Sequence, residues 1–374
     1  MKKLIVIILL ILVLLSINSK DNKESKEERA IFISYIELSK YLNNKDNSIS
    51  KLNIDRMIHN IKRTNINTII LQVRSNQDAI YKSNIYPSSK YINNSFDYLN
   101  YFIKKAHYNN IKLIAWINPY RISTTDNINS IDEYSPAYKY INTDYLYISN
   151  GIYFNPSKKE VEDLIVKGVD EVLNYEVDGI LFDDYFYQSN NIDVDDYNKY
   201  LENHDSISID EYHLYIINKM VERVHKECIK KNILFGISPD GNIDNNYNKN
   251  MADVRLWMSS DKYIDFIMPQ IYYGFYNSTR DYVKVVKEWE GLLKNDNIKF
   301  YVALAFYKVG IEDAYAKEGR DEWKNNNDII MREVILSRNL KGYSGFALFR
   351  YDSLFDNYTD TSKDELENLK KIIK

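Results

Sequence analysis

Between residues 31 and 348, short and nearly continuous apolar runs alternate with longer stretches whose apolar positions recur every three or four residues. The runs are Ile31–Ile36, Thr68–Val73, Lys112–Ile117, Gly179–Asp183, Leu234–Ile237, Phe266–Ile271, Phe300–Ala305 and Ser344–Leu348. Near-continuous apolarity, in place of strict alternation, predicts parallel strands buried on both faces. The stretches between them, clearest at 54–64, 96–109, 158–175, 210–231, 280–294 and 325–340, predict amphipathic helices. A shorter helix is expected at Met251–Ser260 and a closing one at 363–373. Asn109-Asn110 and Gly342 stand where helices stop before the next strand. Eight strand–helix repeats predict the α/β class and a (β/α)8 barrel in a single domain, whose closure leaves no free sheet edge. A doubly wound open sheet would carry a similar pattern. The connections after strands are long, at 75–95, 118–157 and 185–209, whereas those before strands are short. In a barrel this asymmetry puts the elaborated face at the strand C-termini, where barrel active sites form.

The residues at the ends of the runs carry the candidate chemistry. The sharpest case is Asp178-Gly179-Ile180-Leu181-Phe182-Asp183-Asp184-Tyr185-Phe186-Tyr187, where an apolar strand breaks into two acids and then three aromatics. Adjacent acids are costly to bury in a strand interior. Neighbouring carboxylates also raise one another's pKa, the condition under which one stays protonated to act as an acid. Aromatic faces beside such a pair suit the apolar face of a sugar ring. The other ends read Ser34-Tyr35-Ile36-Glu37, Gln72-Val73-Arg74 followed by Asp78 and Tyr81, Trp116-Ile117-Asn118-Pro119-Tyr120-Arg121, Ser238-Pro239-Asp240-Gly241-Asn242, Gln270-Ile271-Tyr272-Tyr273-Gly274, Phe306-Tyr307-Lys308 and Phe349-Arg350-Tyr351-Asp352. Eight polar or aromatic ends in one register predict one active face.

The N-terminus adds a location. Met1-Lys2-Lys3, the apolar run Leu4–Leu15 and the small residues to Ser19 form a secretory signal peptide or an uncleaved anchor, followed by a polar tether over 20–29 and the barrel over 30–374. The run is short of the roughly 20 residues a membrane span needs. The expected place is therefore secreted, or held on the outer face of the cytoplasmic membrane. Cys228 is the single cysteine, so no internal disulfide forms. The 49 basic residues less Lys2 and Lys3 leave 47 against 53 acids, a balance of −6. With no basic stripe, nucleic acid is not an expected partner. The five histidines fall in helices or outer loops, which disfavours a zinc site. Asp193, Asp195 and Asp196 lack the glycine and closing Glu of an EF-hand and read as a solvated acidic loop. Neither a metal nor a cofactor is expected.

The chain resembles the glycosyl hydrolase-like 10 family of secreted bacterial barrels. The resemblance rests on Leu71-Gln72-Val73-Arg74 with Asp78-Ala79, Ala115 through Arg121, Asp178 through Tyr187, Phe235-Gly236-Ile237-Ser238-Pro239 and Pro269-Gln270-Ile271-Tyr272. These span roughly 31 to 350 in the family's order. The chain departs from the family at Gln188, where a proline is usual, and at Asp240, where an apolar residue or glycine is common. The family implies a carbohydrate substrate.

Barrel hexosaminidases that use the substrate's N-acetyl group also carry adjacent acids after a strand, the first orienting the acetamido group and the second donating the proton. By that likeness Asp184 is assigned as general acid and Asp183 as its partner. A second carboxyl would be Asp240, with Glu37 and Asp78 the other acids near strand ends; otherwise the substrate assists. Arg74, Asp78, Asn118, Arg121 and Gln270 are assigned to sugar hydroxyls or an acidic group, and Tyr120, Tyr185, Tyr272, Tyr273 and Tyr307 to stacking or hydrogen bonds. Trp116 is read as core. The expectation is a monomeric glycoside hydrolase of a cell-wall or extracellular polysaccharide, with amino-sugar polymers among the candidates. The alternative is a carbohydrate-binding barrel without turnover.

Overall fold

A computed structural model describes residues 27–43, 45–183, 186–189 and 191–373. The segment read as a leader and most of the tether lie outside the described residues, as do Asp184 and Tyr185. Eight parallel strands close into a barrel: β1 (Glu28–Ile33), β2 (Thr68–Arg74), β3 (Lys112–Ile117), β7 (Gly179–Phe182), β8 (Leu234–Ile237), β9 (Phe266–Ile267), β10 (Lys299–Leu304) and β11 (Tyr343–Leu348), with β11 pairing back onto β1. Between β3 and β7 the chain forms a separate antiparallel sheet of β4 (Arg121–Ser123), β5 (Leu146–Ile148) and β6 (Ile152–Phe154). That sheet was not expected, because three-residue strands carry too little periodicity to be read. Among the described residues no helix is long and apolar enough to cross a membrane.

The long helices Asn47–Lys62, Tyr98–Tyr108, Lys159–Val172, Ile209–Lys230 and Tyr282–Leu292 surround the barrel where amphipathic stretches were predicted. Their apolar faces share one large cluster with the outward residues of the strands, such as Ile69, Leu71, Leu113 and Ile180. Inward residues form a second cluster inside the barrel, including Phe32, Ile70, Trp116, Leu181, Met268 and Tyr301.

Two boundaries differ from expectation. Strand β1 begins at Glu28 and stops at Ile33, so Glu28 and Arg29 belong to the barrel and not to the tether. Ser34 ends it by capping the helix Tyr35–Tyr41, its side chain and that of Glu37 forming a capping box. Strand β9 is two residues long, not six. Pro269 has no N–H to give, and beyond it the chain makes only single bridges, Asp240 to Gln270 and Gln270 to Ala303.

Closure depends on Gly345, whose φ is +152°. A Cβ there would lie 2.0 Å from the carbonyl oxygen of Glu28, its partner across the seam. Below the seam, the Arg338 guanidinium grips Glu27 at 2.9 and 2.8 Å, and the Tyr343 hydroxyl donates to the same carboxylate at 2.8 Å.

Glu365 is a fully buried residue of the closing helix Asp360–Lys370. One oxygen accepts from the Met331 amide at 3.0 Å, while the other meets no donor. Burial raises its pKa from 4.5 to about 7. The folded protein thus holds a proton that the unfolded chain releases as pH climbs from 4.5 to about 7, so stability falls across that window. Glu365→Gln should therefore stabilise the protein by on the order of 2 kcal/mol at pH 8 and by far less at pH 5. Urea denaturation of both proteins at the two pH values measures this, and an equal effect at both would exclude a titrating Glu365.

Candidate active site

A cleft of about 250 Å³ opens at the C-terminal ends of the strands. Its walls combine aromatic side chains (Phe32, Tyr35, Trp116, Tyr272, Phe349) with Ser34, Gln72, Arg121, Asp183, Ser238, Gln270 and Arg350. Each follows from its place at a strand end. Among the described residues Asp183 is the one acid that lines it.

Asp183 is 3% exposed, and its carboxylate is met by a chain of donors from neighbouring strands. The Asn118 side-chain amide donates to Oδ2, and the Trp116 indole N–H reaches the same oxygen at 3.4 Å. The Asn118 carbonyl oxygen accepts from Gln72 at 2.5 Å, and the Gln72 oxygen accepts from the Tyr35 backbone N–H at 2.9 Å. Register explains the alignment: Gln72 pairs with Trp116 and Trp116 with Leu181, so the side chains that continue past these positions meet over the barrel interior. Trp116, read from sequence as core, packs in the inner cluster and also lines the cleft.

A second polar cluster closes the mouth between β1 and β11. The Arg350 guanidinium stands 2.8 Å from Asp352 and 3.5 Å from Glu37, and donates to the Ser34 hydroxyl at 3.2 Å. Burial raises the Glu37 pKa, opposed by its bond from Ser34 and by Arg350. Glu37 is thereby committed to the seam and does not line the cleft. Phe349 joins the Tyr272 and Tyr307 rings at 5.7 and 5.9 Å to form an aromatic lip. Tyr307 belongs to this lip, 37% exposed, with its pKa pushed up to about 12 by burial.

The structure brings Asn118, Arg121, Asp183, Gln270 and Tyr272 together, with Tyr307 on the lip, and sets Arg74, Asp78, Tyr120, Asp240 and Tyr273 elsewhere; Asp184 and Tyr185 lie outside the described residues. Arg121 donates to the Ser75 carbonyl at 3.1 Å, and Gln270 to the Ser238 carbonyl at 2.9 Å. Asn118 is fully buried between Gln72 and Asp183, so it orients the acid instead of presenting itself to a ligand. Arg74 points away from the mouth. Strand β2 bulges after Gln72, so that Arg74 pairs with the outward-facing Ile117. Its guanidinium lies 4.4 Å from the centre of the Tyr86 ring, in space left by Gly168 of the helix Lys159–Val172. Tyr120 is wholly buried in the outer core, and burial drives its pKa well up. Asp240 is turned into its own loop, its carboxylate accepting from the Asn242 amide at 2.7 Å and the Asn245 side chain at 3.0 Å. Tyr273 packs beside that loop, its pKa pushed up to about 12 by burial and by Asp240. Asp78 lines a separate groove next to the cleft.

The acidic stretch is only in part the solvated loop expected: Asp195 is exposed, in the first turn of the helix Val194–Leu201. Asp193 is 2% exposed, takes the Tyr187 hydroxyl and stands 3.0 Å from the buried His213. Burial pushes its pKa up, but the bonds from His213 and Tyr187 prevail and hold it below the usual range. Asp196 pairs with Lys158 at 2.8 Å. Among the described residues no three His, Cys, Asp or Glu side chains converge to hold a metal. Sequence reading assigned no role to Ser34, Tyr35, Gln72, Ser238, Phe349 or Arg350, although each stands in a strand-end segment it quoted. The available signal was position alone.

Replacing Asn118 with leucine would strip Asp183 of a buried donor and leave Gln72 without its acceptor. Asn118→Leu should cost about 2–4 kcal/mol of stability, read from the urea midpoint. A cost below about 0.5 kcal/mol, the usual range for a surface change, would mean that the donor chain does not support the acid.

The barrel superposes on the glycoside hydrolase domain of PgaB (BpsB) from Bordetella bronchiseptica with a TM-score of 0.55, at 11% identity over 93% of this chain and 99% of that one. The catalytic domain of the Paenibacillus polymyxa β-amylase also gives 0.55, at 9% identity over 94% and 99%. Such low identities speak for the fold alone. In sequence, glycosyl hydrolase DigH of Escherichia coli K12 is 30% identical over 352 residues, 84% of this chain and 78% of the relative. Glycosyl hydrolase YngK of Bacillus subtilis is 27% identical over 332 residues, 81% of this chain and 63% of the relative. The family description that matches residues 27–320 is glycosyl hydrolase-like 10, and over that span, nearly the whole barrel, the chain belongs to the glycosyl hydrolase-like 10 family.

Proposed function

We propose that this protein is an exported, monomeric glycoside hydrolase acting on a cell-wall or extracellular polysaccharide, foremost one built of amino sugars. The observation that carries the reading is the buried Asp183 carboxylate at the floor of an aromatic-walled cleft, held by Asn118 and Trp116. Aromatic walls take the apolar face of a sugar ring, and a few placed polar groups fix its orientation. Family membership supports the same class of reaction.

In this mechanism Asp184, next in the chain, gives its proton to the leaving glycosidic oxygen as the C1–O bond breaks. Asp183 accepts a hydrogen bond from the substrate's acetamido N–H, and the acetamido oxygen closes onto C1. Water then opens that ring, returning its proton to Asp184. Two observations favour such assistance over a second protein carboxylate. Asp240 and Glu37 are engaged in their own loop and seam, and the segment after β10, Ala305-Phe306-Tyr307, carries no acid.

A panel of cell-wall and amino-sugar oligosaccharides, with products read by mass, is the test. Asp184→Asn should lower kcat by ~10² or more, since general acid assistance contributes 10²–10⁴, and leave oligosaccharide binding little changed. Full turnover in that variant would remove Asp184 from the mechanism. Tight binding by the native protein with no product, over long incubation and across acid to neutral pH, would establish the alternative of a binding barrel.

A further inference from the structure

We infer that the groove beside the cleft is a second saccharide subsite, so that the substrate is a chain extending over the loops that follow β1, β2 and β3. The inference rests on the glycosidase reading and names the form of its substrate. The groove encloses about 500 Å³, twice the volume of the cleft. Tyr35 stands in the wall of both. The partition between them is a short bonded strip. Arg121, in the cleft wall, donates to the Ser75 carbonyl at 3.1 Å, and Gln77 donates back to the Arg121 carbonyl at 3.3 Å.

The lining has the composition a neutral, hydroxyl-rich ligand requires. Tyr35 and Tyr91 supply aromatic side chains, and eight Ser and Thr hydroxyl side chains line the rest, with Asp78, Asp132 and Lys90 the charged groups among the described residues. That balance suits neither a phosphate nor a polyanion, which would call for several cations. At the base of the groove three consecutive residues hold acceptor oxygens that meet no donor: Oδ1 of Asn76, Oε1 of Gln77 and Oδ1 of Asp78. The Gln77 side chain is 4% exposed and already spends its N–H on Arg121, so its oxygen has no second use within the loop. Buried acceptors without donors are unfavourable until something supplies an O–H or N–H. Sugar hydroxyls supply several from one ring edge. A ring bound here and another over Asp183 would belong to one oligosaccharide, with Tyr35 between them.

The test is calorimetric binding of N-acetylglucosamine and glucose β-1,4 oligomers, two to six units long, to the full chain carrying Asp184→Asn to suppress cleavage. In at least one series the affinity should rise about 10-fold or more between two and five units, as expected for one added set of hydrogen bonds to a charged acceptor. Asp78→Ala should remove that rise and leave the two-unit affinity within about twofold. Thr124→Trp, placed at an exposed rim position so that folding is spared, should remove it by obstruction. A rise that survives both variants, or no rise with length, overturns the subsite and leaves the glycosidase reading intact. Binding of no oligomer in either series overturns the subsite, while product release in the wider panel would still uphold the glycosidase. A thermal shift produced by Ca²⁺ alone and abolished by Asp78→Ala would assign the three oxygens to a cation and overturn the subsite as well.

Discussion

A carboxylate buried at the end of a strand must be met by donors, and meeting the one on Asp183 constrains much of the barrel mouth. Its oxygen is reached from Asn118, which is set by Gln72, which is set in turn by the first amide of the helix after β1. Four consecutive strands in space must therefore hold their register to within a residue, because a slip of one would turn each side chain to the opposite face. An uncompensated charge at this depth would cost several kcal/mol, a large part of a typical domain's net stability. The acid is thus a specification of the fold around it.

The opposite side of the mouth solves a different problem. There β1 and β11, the first and last strands, have no covalent neighbour to hold them in register. Gly345 lets the backbones approach, and Arg350 ties Glu37 and Asp352 across the join. The family's Asn-Pro-Tyr-Arg segment divides between these demands: Asn118 serves the acid, Tyr120 serves the outer core, and Arg121 walls the cleft.

The eight strands and the long helices were legible because a parallel strand buried on both faces and an amphipathic helix leave distinct periods in the chain. Ser34, Tyr35 and Ile36 were misread as strand, although Ser34 followed three residues later by Glu37 is a helix-start signal. Within the site, residue type at a strand end identified Asn118, Arg121, Asp183, Gln270 and Tyr272 as cleft neighbours. Arg74 was placed there by its position at a strand end, and that position misleads at a bulge: one extra residue in β2 turns the guanidinium toward a helix. Asp240 was placed by proximity, but a carboxylate two residues before a backbone amide readily caps its own turn instead. Bulges and local caps are decided by one or two hydrogen bonds, which leave no period to read.

The grip of Arg338 and Tyr343 on Glu27 fixes where the polypeptide enters the barrel: at the N-terminal end of β1, the pole opposite the mouth. The cleft is thus built wholly from chain that follows this entry point, and a change confined to the entry pole leaves the geometry of the mouth untouched.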